Sequence, residues 1–140
     1  QTGVIIALDN ATVHARSSKQ KMCARNSTEA ELIGLTDKVD GVLWCHDFLL
    51  AQGYEPPPPV IFQDNQSTIH LVTVGGGKGG RTRHLRARQY AMKELVDAGD
   101  VLIEYLPTEE MLADVLTKPL GGERYATLCR SITHDGPILV

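Results

Sequence analysis

Cysteine is scarce in this 140-residue chain, and Cys23, Cys45 and Cys129 are odd in number with no paired spacing. That argues against a disulfide framework or a zinc knuckle, and for reduced thiols in a cytoplasmic or nuclear setting. Aromatic residues are few, with 2 Phe and 1 Trp, so an aliphatic core is expected. No apolar run approaches the length of a membrane span, and no signal peptide precedes the first residues. An intracellular protein without a membrane partner is therefore expected. A large excess of one charge is missing too. The net charge is −3, which does not announce a nucleic-acid binder, and 42% hydrophobic with 22% charged residues is ordinary globular composition. The length suits one domain over residues 1–140. The chain opens on "QTGVIIAL" with no methionine and no lead-in, and reads as part of a longer polypeptide.

What is present is an interleaving of strand and helix signals. Gly3 to Leu8 reads as a strand, Asp9-Asn10 as a tight turn, and Thr12 to Ser17 as the returning strand, with a third short strand around Lys21 to Ala24. "NSTEAELIGLTDKVDGVLWCHDFLLAQG" predicts a long amphipathic helix capped by Asn26 or Ser27 and closed by Gly53. Its apolar face runs from Leu32 through Leu35, Val39, Val42 and Leu43 to Leu49 and Leu50. "EPPPP" is a stiff connector. Val60 to Asp64 suits a buried strand, and "NQSTIHLVT" a short helix. "GGGKGG", residues 75–80, is a loop, and Arg83 to Ala98 is a second long helix ended by Gly99. "DVLIEYL" reads as a strand, and Glu123 to Ile132 as a final helix. The expected class is α/β, with a mixed sheet flanked by helices.

"LPTEEMLADVLTKPL", residues 106–120, also has helical register, with Met111, Leu112, Val115 and Leu116 on one face, Thr108 as N-cap and Pro119 as the stop. Asp114 lies beside that apolar stripe, where a charge is costly unless compensated. Two further acids stand in similar places. Asp64 ends the buried strand, and Glu31 lies one residue before Leu32 in the first turn of the long helix. Carboxylates on the inner faces of three elements would repel one another unless cations held them together, and hard oxygen ligands without Cys or His point to Mg²⁺ or Mn²⁺. Blander readings stand beside this one. Thr28 and Glu31 fit a capping box, Asp64 can be a turn former, and Asp114 can tilt into solvent.

Taken together, "NSTEAELIGL", "VIFQDNQSTIHL", "RTRHLRARQYAMKELVDAG" and "YLPTEEMLADVLTKPL" closely resemble the ribonuclease H domain of copia-type retrotransposon reverse transcriptases. The resemblance runs from about Gly3 to about Ile132, and the four blocks are specific in this order and spacing. It implies a ribonuclease H-like fold in which Glu31, Asp64 and Asp114 are catalytic metal ligands, with two Mg²⁺ or Mn²⁺ ions in the complete domain. The implied activity is endonucleolytic cleavage of the RNA strand of RNA/DNA hybrids, as part of a reverse transcriptase polyprotein that would also be its partner. The family's fourth acid sits on a first strand upstream of "TGVIIAL". That strand is not among these residues, so weak or no cleavage by the chain alone is expected, as is self-association through an open sheet edge. The other reading is an inactive or domesticated module that binds nucleic acid or protein.

One stretch is locally basic: Lys78, Arg81, Arg83, Arg86 and Arg88 surround His84 with no acid among them. Such a stretch can follow a phosphate backbone, and a solvated basic helix face is the plain alternative. Arg86 stands where the family pattern has an acid, and the glycine-rich loop before it departs from the family. "GGGKGGRT" lacks the Gly-Lys-Ser/Thr ending of a phosphate loop. His70 is expected on a helix surface, Cys45-His46 in the core or at its rim, and Trp44 as a packing residue.

Overall fold

A computed structural model describes residues 1–9, 11–75 and 83–133. Strands and helices alternate along it: β1 (Thr2–Leu8), β2 (Ala11–Ser18), α1 (Ser27–Ala51), β3 (Val60–Gln63), α2 (Gln66–Thr73), α3 (Arg83–Ala98), β4 (Leu102–Tyr105), a 3-10 helix (Leu112–Leu116) and α4 (Gly122–Thr133). The fold class is α/β, in an element order consistent with a ribonuclease H-like domain. Both strand orientations of a mixed sheet occur, and they are carried separately. Among the described residues, β1 and β2 form an antiparallel pair and β3 and β4 a parallel pair. The chain divides into two units, one from Met22 to Leu106 and one made of Gln1–Lys21 with Pro107–Val140.

In the Met22–Leu106 unit, Asn26 starts α1. Its backbone is extended and its side chain accepts the Glu29 N–H at 2.9 Å, while a Glu29 carboxylate oxygen accepts the Arg25 N–H at 2.9 Å. Two donors at the helix start are thus satisfied reciprocally. Leu32, Ile33, Leu35 and Val39 then turn inward against Val72 of α2, Leu85 and Met92 of α3, and Val101. The core is aliphatic, as the composition requires. The expected strand around Lys21 to Ala24 is not formed. Met22 and Ala24 pack against this core with Cys23 exposed between them, an alternation that imitates a strand in the sequence.

Parallel pairing of β3 with β4, in register from Val60↔Leu102 to Gln63↔Tyr105, needs a crossover, which α2 and α3 supply. Polar contacts pin that crossover. Gln89 donates to the Leu71 carbonyl at 3.2 Å, and Lys93 Nζ donates to the Thr73 carbonyl at 2.9 Å, where the last turn of α2 leaves its carbonyls unpaired. About two-thirds of α1, from Ser27 to Leu43, is packed against this core. Beyond Leu43 the helix emerges, leaving Trp44 65% and Phe48 50% exposed, their rings stacked with centroids 5.6 Å apart. Trp44 packs on Phe48 at the surface, not in the core.

In the other unit, β1 and β2 make a hairpin in register from Thr2↔Ser18 to Leu8↔Ala11, with an irregularity between Ile6 and Ala7. Gly3 lies against the 3-10 helix so closely that a Cβ there would stand 2.7 Å from the Ala113 carbonyl oxygen and 2.8 Å from Thr117 Cγ2. Ser17 Oγ donates to the Leu116 carbonyl at 2.7 Å. The α-helix expected across residues 106–120 is replaced by turns at Thr108–Glu110 and this 3-10 helix. Met111 is extended, with ψ 101, and breaks the helical register that Thr108 would have started. Among the described residues, no helix is long and apolar enough to cross a membrane.

Candidate functional site

Asp64 occupies a strand end fixed on both sides. Gln63 before it is buried, and its Oε1 accepts the Asn65 N–H at 3.0 Å; Asn65 after it is the N-cap of α2, accepting the Thr68 N–H at 3.2 Å through its side chain. Thr68, fully buried in the first turn of α2, donates to the Thr28 carbonyl at 3.4 Å in the first turn of α1. The starts of α1 and α2 therefore touch. Asp64 and the residue after Thr28, Glu29, flank the same junction.

The acid on the inner side of that turn is Glu29, not Glu31. Because α1 begins at Ser27, Glu29 falls in its first turn and is 6% exposed, whereas Glu31 lies on the exposed side. The N-cap is Asn26, one of the two caps expected from the sequence, and it pairs with Glu29; the alternative Thr28–Glu31 box is not formed at this helix start. Asn26-x-x-Glu29 carries the same spacing signal, two residues earlier, so Glu29 was legible as a candidate.

Asp114 does not tilt into solvent. Its side chain is 8% exposed, with Lys118 Nζ at 2.8 Å and Arg124 Nη2 at 3.2 Å. Arg124 Nη2 also donates to the Thr108 carbonyl at 2.6 Å, joining α4 to the turn before the 3-10 helix. The Asp114 carbonyl accepts the N–H groups of Thr117 at 3.0 Å and Lys118 at 2.9 Å, so the stem of Lys118 starts beside the carboxylate it meets. This answers the sequence anomaly: the buried charge is compensated by two tethered cations. The four-residue step from Asp114 to Lys118 is a sequence signal for that pair; Arg124 has none.

Of the basic stretch, Lys78 and Arg81 lie outside the described residues, as does most of the glycine-rich loop. Arg83, His84 and Arg86 are exposed on α3, on the side away from buried Leu85, Gln89 and Met92. Arg88 has a different role. Its Nη1 donates to Thr36 Oγ1 and Asp37 Oδ1 of α1, each at 2.6 Å, and so ties the two helices together.

Among the described residues, neither unit gathers three or more His, Cys, Asp or Glu side chains in position to hold a metal ion. The donor chemistry still fits a hard divalent cation. Asp64 offers carboxylate oxygens at a fixed strand end, whereas both oxygens of Asp114 are engaged by Lys118 and Arg124.

The chain is similar in sequence to segments of several larger proteins. Over 131 residues, 94% of the chain, it is 29% identical to the Retrovirus-related Pol polyprotein from transposon TNT 1-94 of Nicotiana tabacum. It is 29% identical, over 93% of its length, to that from transposon RE2 of Arabidopsis thaliana, and 22% identical over 134 residues to the Transposon Ty1-JR1 Gag-Pol polyprotein of Saccharomyces cerevisiae. These relatives are retrotransposon Pol polyproteins. The chain spans about a tenth of their length, from 8% to 10%. No protein-family model and no solved structure matches it.

Proposed function

We propose that this chain is the ribonuclease H part of a retrotransposon Pol polyprotein, and that it cuts the RNA strand of RNA/DNA hybrids with Mg²⁺ or Mn²⁺. The observation that carries the reading is the likeness to Pol polyproteins through 131 residues, not at one motif. The fixed setting of Asp64 supports it. In this proposal Glu31, Asp64 and Asp114 are metal ligands because the resemblance implies them, the first two carried by the Met22–Leu106 unit and Asp114 by the other; Glu29 is the buried acid of α1. Bound divalent ions would supply a water of lowered pKa for attack on the phosphodiester and stabilise the leaving 3′ oxygen. The chain's own side chains do the positioning. The Gln63 and Asn65 contacts hold Asp64 at the end of β3. Arg83, His84 and Arg86, with Lys78 and Arg81, meet phosphates, while hybrid geometry is read through its wide minor groove and 2′-hydroxyls.

A second reading is a module that binds nucleic acid or protein without cleaving. It is favoured by the cations on Asp114 and the outward placement of Glu31. Cleavage of a labelled hybrid in Mg²⁺ or Mn²⁺ by the chain and its Asp64→Asn variant separates the two. Weak cleavage that Asp64→Asn abolishes is expected. Hybrid binding with no cleavage, even by a version of the chain to which the family's first strand and its acid have been added, would establish the second reading.

A further inference from the structure

The exposed face of α3 changes sign along its length, and an aromatic ring stands where it changes. Arg83, Arg86 and Tyr90 follow one another at three- and four-residue steps and form one stripe. Leu85, Gln89 and Met92 are buried on the other side. From Arg83 to Lys93 the helix carries no acid; then come Glu94 and Asp97, with Asp100 just beyond, all exposed. Lys93, the last cation of the run, is already engaged by Asp97 at 2.8 Å and by the Thr73 carbonyl at 2.9 Å. Tyr90 is 68% exposed, more than any other large hydrophobic side chain among the described residues. Ala87 and Ala91 beside it are exposed too, and with only methyl groups they leave the ring open to a flat partner. Trp44, exposed to a similar degree, is covered by Phe48, whereas no such ring partner is found for Tyr90 among the described residues.

We propose that Tyr90 is a stacking platform for an unpaired base at the end of a hybrid duplex, taken up where the phosphate track of Arg83 and Arg86 stops. The proposal rests on the nucleic-acid reading given above. It adds to that reading a binding residue and a preferred form of substrate, a hybrid with a single-stranded extension. Phosphates that follow Arg83 and Arg86 along the helix meet carboxylates beyond Tyr90, so the backbone must turn away there. From Arg86 to Tyr90 is about 6 Å along the helix axis, room for one nucleotide step. Inside a closed duplex the faces of the bases are covered by neighbouring pairs, and a ring on a helix surface cannot reach them. An unpaired base offers its face to Tyr90 whatever its identity. The ring thus supplies what the arginines cannot, a contact that senses a base and not only the charge of the backbone.

The test is fluorescence anisotropy of labelled RNA/DNA hybrids with the 140-residue chain. The probes are a blunt hybrid, the same hybrid with a short single-stranded extension of DNA or of RNA, and one whose extension carries abasic nucleotides. Stacking on one base should make the extended hybrid bind about fivefold or more tighter than the blunt one. Tyr90→Ala should remove that gain and Tyr90→Phe should keep it, because the ring and not the hydroxyl is required. The abasic extension should bind like the blunt hybrid, and the salt slope of Tyr90→Ala should match that of the parent, since no phosphate contact is lost. A gain with either extension meets the proposal, and the arm that shows it identifies the strand that reaches Tyr90. Equal affinity for blunt and extended hybrids, or a gain that survives Tyr90→Ala or the loss of the bases, would overturn the stacking site while leaving hybrid binding by Arg83 and Arg86 intact. No binding to any of these probes at low salt would remove the nucleic-acid reading itself, and the stacking site with it.

Discussion

At the scale of single residues, position on a helix decides more than residue type. Glu29 and Glu31 are two residues apart on α1, which turns them to different sides. Glu29 accepts the Arg25 N–H and is shielded beside the start of α2, while Glu31 is exposed. Glu29→Ala should therefore destabilise the fold by about 1 kcal/mol, as expected when a helix-start hydrogen bond is lost. Glu31→Ala should stay within about 0.5 kcal/mol, as for an ordinary surface substitution. Urea unfolding of the two variants checks this, and equal losses would show that Glu29 is not the structural acid of the pair. The sequence contained the clue in Asn26-x-x-Glu29, but Thr28-x-x-Glu31 offers the same spacing two residues on. Only the extended backbone of Asn26 decides which residue starts the helix. Asp114 was legible as an anomaly, and Lys118 as its i, i+4 partner. Arg124, ten residues away, reaches it through tertiary packing that no local pattern encodes.

At the scale of elements, the strands and long helices followed their hydrophobic periods, and the departures have local causes. The stretch 106–120 has a helix's apolar spacing, but Met111 takes an extended conformation and Pro119 cuts the far end, so only a short 3-10 segment fits between them. The segment also serves as a platform for β1. Its Ala113 carbonyl and Thr117 methyl lie where a Cβ of residue 3 would be, which is why a glycine fits in that strand. Gly3→Ala should destabilise by roughly 1–3 kcal/mol, the usual cost of forcing an atom into a packed contact. Thermal unfolding should show a clear fall for Gly3→Ala. Gly121→Ala, where a Cβ meets nothing within 4 Å, is the control and should change little. Equal stability of Gly3→Ala and the parent would mean that the hairpin moves off the 3-10 helix without loss. In α1 the apolar pattern continues to Leu50, and packing ends near Leu43. Periodicity shows which face could be buried, not how far a partner extends along it.

At the scale of the whole molecule, a net charge of −3 coexists with a basic stretch, and the structure divides that stretch by role. Arg88 is consumed by Thr36 and Asp37, whereas Arg83 and Arg86 stand exposed on α3, on the side away from the core. Charge counting along the sequence could not make that division, because the acid that engages Arg88 lies 51 residues earlier on another helix. The consequence can be measured as the salt dependence of hybrid binding. Each cation that neutralises a phosphate releases condensed counterion, so log affinity falls linearly with log salt, with a slope of about 0.9 per contact on a duplex. If Arg83 and Arg86 meet the backbone, Arg83→Ala with Arg86→Ala should make that slope shallower by roughly 1.8 in magnitude, and weaken binding similarly for all sequences. Arg88→Ala should leave the slope as it was and instead lower unfolding stability, because its ion pair joins α1 to α3. Fluorescence anisotropy of a labelled hybrid across a salt series reads the slopes, and urea unfolding reads the stability. A slope that depends on Arg88 and not on Arg83 and Arg86 would mean that the Asp37 pair opens to take the phosphate, and that the exposed face of α3 is only solvated.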